Sequence, residues 1–351
     1  MATQAPFSRT FIELVREQAA RDPQALALVC PQGRYSYAQL AERASRVAGA
    51  LQAAGIKRGD RVGLLLGNRV EWIDLLLGAG ALGAVLVPLS TWSTRSELVF
   101  LLQDAGLALL VAQARFGASD FEADLQALQG SPGMPAPERL WLIDAQRAAF
   151  ASYPERLDKA CARAPLAPGE GPSAADDALV LYTSGSSAAP KAVPLRQFAL
   201  LENGFNIGER QGLTSLDRVL LSSPLFWAYG SGNALPATLT HGAALVLLEK
   251  FDPALVLDTV EQERCTSIYT LPAMTAALGQ HPAYRKQRLA SLRTGLTIGS
   301  PQDFFSAVDL LGAAELCNIY GATETCGTVN WFKAEKRWDR IFQRVRCEST
   351  R

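Results

Sequence analysis

The chain has 351 residues, a length at which two or three packed units are expected instead of one small core. Apolar residues make up 48% and charged residues 19%, which is typical of a folded globular protein and excludes intrinsic disorder. Lys plus Arg and Asp plus Glu number 34 each, so no overall positive field would attract nucleic acid or an anionic membrane surface.

The N-terminal segment predicts an amphipathic helix and no secretion signal. Phe11, Leu14 and Val15 have helical spacing, and no apolar signal core precedes them. The six cysteines are scattered, without a C-x-x-C pair or histidines at metal-ligand spacing, so free thiols in a reducing compartment are expected. These features predict a cytoplasmic protein.

The most hydrophobic stretch, residues 72–90, approaches the length needed to span a membrane. It contains Asp74, three glycines and Pro88, which disfavour a span. We interpret it as a buried helix that runs into a buried strand.

From residue 60 onward, short β-rich runs alternate with segments of helical pattern. Strands are predicted at 60–67, 83–90, 108–113, 178–182, 217–225, 243–250, 265–272, 292–300 and 315–321. Helices are predicted at 69–82, 94–106, 253–264 and 301–312. This order predicts right-handed crossovers and largely parallel sheet covered on both faces, an α/β fold.

Two segments rich in proline, glycine and alanine, 129–139 and 164–178, predict loops or linkers. We expect the second to separate an N-terminal α/β unit, 1–163, from a second α/β unit, 179–331. The tail, 332–351, shows no recognisable motif.

The sequence "YTSGSSAAPK" (182–191) combines hydroxyl side chains, a glycine and a lysine. With a helix expected to begin near Pro194, it occupies a predicted loop between a strand and a helix, where ligands bind in open α/β sheets. Its composition suits a polyphosphate, but a polar surface turn uses the same residue types, and both interpretations stay open. It is not a Walker loop, because Pro190 and Ala192 stand where that pattern needs glycine and a hydroxyl residue.

The sequence "NIYGATET" (318–325) also follows a predicted strand. Tyr320 could stack on a base, Thr323 could bond a phosphate or acyl oxygen, and Glu324 could hold a magnesium ion. Taken alone, this motif is as ambiguous as the first.

Together and in this order, the two motifs resemble those of the adenylate-forming superfamily, which includes acyl-CoA synthetases, aryl-CoA ligases, luciferases and peptide-synthetase adenylation domains. The first matches the family's phosphate loop except at two glycines, and the second matches its Y-G-x-T-E motif completely. "YSYAQL" (35–40), "RGDRVGLLLGN" (58–68) and "GAVLVPLS" (83–90) are similar to the family's early signatures, and the resemblance extends to about residue 331. It implies layered, parallel-rich sheets flanked by helices in two subdomains.

The resemblance also implies an activity. ATP would activate a small carboxylic acid as an acyl-adenylate with release of pyrophosphate, and a thiol, normally that of coenzyme A, would then take the acyl group. No enzyme nucleophile is needed, because magnesium and fixed donors stabilise the charge that builds on the leaving group. ATP, Mg²⁺ and coenzyme A are therefore expected, nucleic acid and a membrane span are not, and the oligomeric state stays open.

Site residues follow from the resemblance by position. For the β- and γ-phosphates it implies Thr183, Ser184, Gly185, Ser186, Ser187 and Lys191. For adenine and the α-phosphate it implies Gly299, Ser300, Pro301, Asn318, Tyr320, Gly321, Ala322 and Thr323. The acyl pocket would contain Trp227, Tyr229 and Gly230, and Glu324 would bind the metal. Of these, Thr183, Lys191, Thr323 and Glu324 would take part in catalysis.

The chain departs from the family pattern at two places. Ala188 and Ala192 replace glycines, and a left-handed backbone at either would cost about 1–2 kcal/mol, so Ala188→Gly is expected to strengthen ATP binding. After residue 331 the family's ribose-binding aspartate, hinge and C-terminal domain with its catalytic lysine are not recognisable. We therefore expect the large N-terminal domain alone, with impaired adenylation. A non-catalytic nucleotide- or acyl-binding remnant and an enzyme that loads a carrier protein remain alternatives.

Other functions fit the sequence less well. A Ser-His-Asp hydrolase is disfavoured because no G-x-S-x-G elbow accompanies His241 or His281. Trp227 favours a shortened pocket lined by aromatic side chains; Trp227 and Tyr229 could instead be core residues, and the flanking residues of 224–232 favour the pocket wall.

Overall fold

The computed structural model describes residues 5–147, 149–160, 171–183, 190–325 and 330–333. The helices are α1 Phe11–Arg21, α2 Tyr37–Ala53, α3 Val70–Gly80, α4 Arg95–Ala105, α5 Phe121–Ala127, α6 Tyr153–Asp158, α7 Gln197–Gln211, α8 Leu235–Thr240, α9 Pro253–Glu263, α10 Pro272–Gln280 and α11 Pro301–Leu311. The strands are β1 Leu26–Cys30, β2 Gly33–Ser36, β3 Arg61–Leu65, β4 Val85–Pro88, β5 Leu109–Gln113, β6 Arg115–Phe116, β7 Ser119–Asp120, β8 Leu140–Ile143, β9 Ala151–Ser152, β10 Asp177–Thr183, β11 Lys191–Arg196, β12 Arg218–Leu221, β13 Ala244–Leu247, β14 Ser267–Tyr269, β15 Thr294–Thr297, β16 Glu315–Tyr320 and β17 Asn330–Lys333.

Two large sheets organise the protein. The eight-stranded sheet has the order β17-β16-β15-β14-β12-β13-β1-β2, and the seven-stranded sheet has the order β11-β10-β4-β3-β5-β8-β9. Within these sheets neighbouring strands run parallel, except for the pairs β1–β2, β10–β11 and β16–β17 at sheet edges. The prediction of an α/β fold with layered, parallel-rich sheets is confirmed.

Each of the two sheets contains strands from both sides of the predicted linker. β10 and β11, which follow the linker, join β4 in the seven-stranded sheet, whereas β1, which precedes it, pairs with β13 in the eight-stranded sheet. Each sheet therefore draws strands from both sides of residues 164–178. The predicted units 1–163 and 179–331 do not coincide with the two sheets.

The hydrophobic stretch at 72–90 forms the predicted buried helix and strand, α3 and β4, and every residue of β4 is buried. Asp74 on α3 is 1% exposed and accepts hydrogen bonds from the Arg43 guanidinium on α2 at 2.6 and 3.1 Å. Among the described residues, no helix combines the length and apolar character that crossing a bilayer requires.

The segment after the first motif is a strand, so the prediction of a helix beginning near Pro194 was wrong. β11 pairs antiparallel with β10, Val193 and Leu195 alternate with exposed neighbours, and α7 begins only at Gln197. Pro194 is tolerated because β11 forms the edge of its sheet, where no further strand needs its missing N–H. The first motif therefore spans a β-hairpin and not a strand-to-helix loop.

One hydrophobic core joins the two sheets. It contains Leu64 and Leu179 of the seven-stranded sheet, Leu245 and Leu296 of the eight-stranded sheet, and the apolar faces of α1, α2 and α3. Because both sheets pack into this common core, the ends of their strands are held in fixed positions relative to one another.

Candidate active site

A cavity of about 1020 Å³ lies where the two sheets approach each other. Its walls include residues at the carboxyl ends of β4, β10, β15 and β16, among them Pro88, Thr183, Ile298 and Ile319. Carboxyl ends of parallel strands are the usual location of ligand sites in α/β proteins. Both sequence motifs border this cavity.

The two ends of the first motif face each other across the β10–β11 hairpin. Thr183 pairs with Lys191; Thr183 is half-buried and lines the cavity, whereas Lys191 is exposed. Ser184, Gly185, Ser186 and Ser187, together with Ala188, lie outside the described residues. Ala192 lies in β11 opposite Tyr182, in an extended strand, so the expected cost of a left-handed backbone does not arise there.

The second motif continues from the end of β16. The Tyr320 side chain is 73% exposed, while Gly321, Ala322 and Thr323 line the cavity and Glu324 is exposed beside it. The short helical turn Thr323–Thr325 contacts β11, so the strand that begins with Lys191 lies next to this motif. The structure thus brings the two motifs together, as the resemblance implies.

A residue that sequence reasoning missed fixes the backbone of this turn. The Thr325 hydroxyl donates to the carbonyl oxygen of Ala322 at 2.8 Å and accepts the N–H of Ala322 at 3.2 Å. The sequence signal was present, since Thr325 is the last residue of the quoted motif, but a role in shaping the turn requires knowledge of the backbone path.

At the predicted adenine-binding segment, Gly299 adopts φ +139°, a conformation that favours glycine. Ser300 caps α11: its hydroxyl donates to Asp303 Oδ2 at 2.7 Å and accepts the Asp303 N–H at 3.3 Å, and Pro301 is the first helical residue. The Ser300 hydroxyl and the Ser300 N–H, which donates to the same Oδ2 at 2.9 Å, hold the pKa of the Asp303 carboxyl below its usual value. The Ser300 side chain therefore already serves the helix.

Asn318 offers a free acceptor next to this segment. Its Nδ2 donates to the carbonyl oxygen of Gly299 at 3.1 Å, while its Oδ1 is buried without a hydrogen-bond partner in the described part of the chain. A buried acceptor without a partner is costly, and a ligand amine that donates to it would remove that cost. This observation fits the exocyclic amine of adenine.

The segment predicted to wall the acyl pocket begins with a tight turn and continues as a π-helix, Ala228–Ala234. Gly230 packs so closely on the turn that an added Cβ would lie 2.6 Å from the carbonyl oxygen of Pro224. Such π-helical turns interrupt regular packing and occur often at functional sites.

Tyr229 combines the two roles that the sequence left open. It lines the cavity. Its buried hydroxyl is within donating distance of two carbonyl oxygens, that of Thr270 at 2.9 Å and that of Leu296 at 2.8 Å. Burial raises the pKa of Tyr229 well above its ordinary value, so the hydroxyl remains a donor. Tyr229 thereby ties the cavity wall to the ends of β14 and β15.

Trp227 belongs to a cluster of three nearly perpendicular aromatic rings. Its ring centroid lies 4.7 Å from that of Trp92 and 5.9 Å from that of Phe226, and Trp92 and Phe226 are 5.3 Å apart. Edge-to-face contacts at these distances are favourable. Trp227 is 37% exposed and Trp92 58% exposed, so both present apolar surface to the cavity and its opening.

One wall of the cavity was not predicted from the sequence. It comes from the segment after β4 and from α4, and consists of Trp92, Ser93, Ser96, Glu97, Phe100 and Leu101. Thr94 and Glu97 form a capping box that fixes the start of α4. The sequence signal was the position of this segment directly after a strand that borders the site.

Among the described residues, no group of three or more His, Cys, Asp or Glu side chains could hold a metal ion. Glu324 is the acidic residue that the second motif places beside the cavity. A cation here would have to complete its coordination with ligand oxygens and water.

Comparison with known proteins settles the family. The model of the AMP-binding enzyme family matches residues 15–345. The chain belongs to this family. The match continues beyond residue 331, where the recognisable motifs end.

Three relatives illustrate the similarity. Indoleacetate–CoA ligase of Aromatoleum aromaticum is 33% identical over 324 residues, which cover 92% of this chain and 61% of that protein. The inhibitor-bound N-terminal domain of FACL13 from Mycobacterium tuberculosis has a TM-score of 0.81 at 26% identity, covering 95% of this chain and 81% of that one. ATP-bound MatB from Rhodopseudomonas palustris has a TM-score of 0.77 at 26% identity, covering 92% and 62%. The chain spans about half to two-thirds of the length of the curated relatives it matches.

Proposed function

We propose that this chain carries the ATP- and carboxylate-binding core of an acid–thiol ligase. The observation that supports this most directly is that Thr183 and Thr323, from the two phosphate-type motifs, line the same cavity as Trp227 from the acyl-wall segment. A carboxylate and a nucleotide that bind these surfaces would meet in one enclosed space.

The residues present fit ATP. The buried Asn318 Oδ1 can accept from the adenine amine, and the exposed ring of Tyr320 provides a face on which a base can stack. Thr183 and Thr323 provide hydroxyl donors at the cavity, and the Lys191 ammonium provides a positive charge at the hairpin. This set covers the base and the phosphates with chemically suitable partners.

The proposed reaction has two steps. A carboxylate oxygen of the acid attacks the α-phosphorus of ATP, and the bond from that phosphorus to the bridging oxygen breaks, so pyrophosphate leaves with the electron pair. The thiolate sulfur of coenzyme A then attacks the acyl carbon, and AMP leaves with the electrons of the acyl–oxygen bond.

No side chain of this protein needs to act as a nucleophile. Thr183 and Thr323 would donate hydrogen bonds to phosphoryl oxygens, and Lys191 would offset the repulsion between two anionic substrates. The aromatic cluster around Trp227 would orient the acid and exclude water from the reactive carbon. The buried Tyr229 hydroxyl contacts the carbonyl oxygens of Thr270 and Leu296 and thereby holds the cavity wall next to Trp227 in place.

Glu324 is the proposed protein ligand of a magnesium ion. One carboxylate with phosphate oxygens and water is a common way to bind Mg²⁺, and the exposed position of Glu324 beside Thr323 suits it. The ion would neutralise negative charge on the leaving pyrophosphate.

The proposed substrate is a small carboxylic acid with an aromatic or otherwise compact apolar group. Trp92, Phe226 and Trp227 supply flat surfaces at right angles, which match an aromatic ring better than a long flexible chain. One relative is named for indoleacetate. Coenzyme A is the proposed acceptor, and a carrier-protein thiol is the alternative.

The test is acid-dependent exchange of labelled pyrophosphate into ATP by the purified 351-residue chain, with a panel of aromatic and aliphatic acids. We expect exchange above the no-acid blank, and a fall of about a hundredfold on Thr323→Val, since one donor to a developing charge contributes that much. Ser131→Ala, a change in a surface turn outside the cavity wall, is the control.

Two results separate the alternatives. No exchange with any acid, while calorimetry still detects ATP binding, would leave a nucleotide-binding protein without ligase chemistry. Absence of both would contradict the proposal. When exchange occurs, a second assay with coenzyme A and with a phosphopantetheinylated carrier protein identifies the acceptor.

A further inference from the structure

Asn68, in the loop after β3, connects the two sheets next to the cavity wall. It is 2% exposed, its Nδ2 donates to the carbonyl oxygens of Ser223 at 2.9 Å and Leu248 at 3.0 Å, and its Oδ1 accepts the N–H of Leu225 at 2.8 Å. Ser223 and Leu225 follow β12, and Leu248 follows β13. One side chain of the seven-stranded sheet thus pairs with three backbone groups of the eight-stranded sheet.

The loop that carries Asn68 is itself firmly held. The N–H of Gly67 donates to Gln113 Oε1 at 2.6 Å, and Gln113 Nε2 donates to the carbonyl oxygen of Arg115 at 2.6 Å. Gly67 also packs directly on the Phe116 ring, which an added Cβ would overlap. The position of Asn68 is therefore set by the seven-stranded sheet and not by the segment it binds.

The segment that Asn68 holds leads directly into the aromatic cluster. Phe226 and Trp227 follow Leu225, and the N–H of Trp227 donates to the carbonyl oxygen of Pro224 at 3.2 Å. Trp92 reaches the same cluster from the seven-stranded sheet, in the segment after β4. The contact between the Trp92 and Trp227 rings thus spans the interface that the Asn68 hydrogen bonds fix.

Asn68 itself is not part of the cavity wall, and neither phosphate motif contacts it through a hydrogen bond in the described part of the chain. A change at Asn68 would therefore reach the acid-binding wall through Ser223–Leu225 and would not reach Thr183 or Thr323 by the same route.

We propose that Asn68 is a positioning residue that places Phe226 and Trp227 against Trp92 and thereby sets which carboxylic acids the cavity accepts. The effect on acid selectivity rests on the proposed function. The placement of the rings by Asn68 rests only on the hydrogen bonds and ring contacts described above. It separates the residue that determines the shape of the acid site from the residues that contact the acid.

The first test needs no turnover. Near-UV circular dichroism is recorded on the 351-residue chain, on Asn68→Ala and on Gln18→Ala, each with and without Trp92→Phe, and the difference reports the coupling of the Trp92 ring to Trp227 and Phe226. Gln18 is the matched control, because its buried amide also donates to two backbone carbonyl oxygens, of Leu239 at 3.2 Å and Thr240 at 3.4 Å, away from the cavity. We expect the coupling signal in the wild-type and Gln18→Ala proteins and its loss in Asn68→Ala, with ATP affinity within about twofold throughout.

The second test measures selectivity. In the pyrophosphate exchange assay, Asn68→Ala is expected to change the ratio of kcat/KM between aromatic and aliphatic acids by about tenfold or more, with the KM for ATP within about twofold. Gln18→Ala should keep the wild-type ratio. Trp92→Ala, at an exposed side chain, should shift the ratio in the same direction as Asn68→Ala and serves where Asn68→Ala does not fold.

Each outcome decides a specific point. An unchanged coupling signal in Asn68→Ala, an unchanged acid ratio in Asn68→Ala or Trp92→Ala, or equal changes in Asn68→Ala and Gln18→Ala would overturn the proposal. If the wild-type chain shows no exchange, the proposed function fails, while the dichroism still decides whether Asn68 positions the two rings.

Discussion

Replacing Arg43 by methionine should destabilise the protein strongly at neutral pH and only weakly in mild acid. Arg43 donates three hydrogen bonds, at 2.6, 3.1 and 3.1 Å, to the Asp74 carboxylate, which is 1% exposed. Burial outweighs these bonds and raises the pKa of Asp74 to about 6 from its ordinary value of 3.8. The carboxylate is thus held ionised at pH 7 against a desolvation cost that Arg43 offsets in part, with a smaller contribution from the charge of Arg46.

The sign and size of the pH effect follow from this shift. A raised native pKa means that the folded protein binds more protons than the unfolded chain between pH 3.8 and 6, so the Asp74 contribution to stability falls as pH rises through that window. Two pKa units correspond to about 3 kcal/mol. Without Arg43 the pKa of Asp74 would rise further, and at neutral pH a buried unpaired carboxylate costs about 3–5 kcal/mol.

The assay is urea unfolding of wild type and Arg43→Met at pH 8, 7, 6 and 5. We expect the loss in unfolding free energy to be about 3–5 kcal/mol at pH 8 and to shrink towards pH 5, where Asp74 binds a proton. Lys159→Met is the control, because Lys159 pairs with the exposed Glu155 at 3.3 Å and should contribute about 1 kcal/mol or less at every pH. A loss in Arg43→Met below about 1 kcal/mol at pH 8, or one that does not vary with pH, would refute the reasoning.

Three further substitutions test the packing around the site. Gly230→Ala should weaken acid binding and lower the unfolding free energy by about 1–3 kcal/mol, as measured by calorimetry and urea titration, since its Cβ would lie 2.6 Å from a backbone carbonyl oxygen; ATP affinity should stay unchanged. Ser300→Ala should cost about 0.5–2 kcal/mol in thermal unfolding through loss of the α11 cap, and an ATP affinity lower than that of Asp303→Ala would show that the hydroxyl serves the nucleotide instead. Gly208→Ala should lower the unfolding free energy in urea by about 1–3 kcal/mol, because the added Cβ on α7 would overlap the buried His241 ring at the end of α8. Unchanged stability would mean that α7 and α8 can move apart without cost.

The local patterns of the chain were sufficient for several features of the site. Alternating strand and helix patterns predicted the α/β class, and the motifs at 182–191 and 318–325 each follow a strand whose end borders the cavity. These predictions depend on residues that are neighbours in sequence, so periodicity and motif spacing contain them. The binding and catalytic roles assigned to the site residues stay predictions.

Local patterns failed where a residue acts on a distant part of the chain. Pro194 suggested the start of a helix, yet β11 is a strand. Its alternating residues pack at the edge of the seven-stranded sheet, and the local sequence does not indicate that a sheet edge is available there. Asn68 ends the segment 58–68 that was quoted for the family resemblance, but no role was assigned to it, and Trp92 lies in none of the quoted motifs. Their partners lie more than a hundred residues later, so their functions become visible only when the two sheets are packed together.

The sequence by itself indicated the α/β order of helices and strands from residue 60 onward, apart from β11, and the two short motifs that border the cavity, because hydrophobic periodicity and turn residues act over a few positions. The tertiary structure decided that β1 pairs with β13 as well as with β2, that β10 and β11 extend the sheet of β4, and that Trp92 contacts Trp227. These choices depend on which buried surfaces fit one another across the core, and that complementarity is a property of the packed chain and not of any one segment.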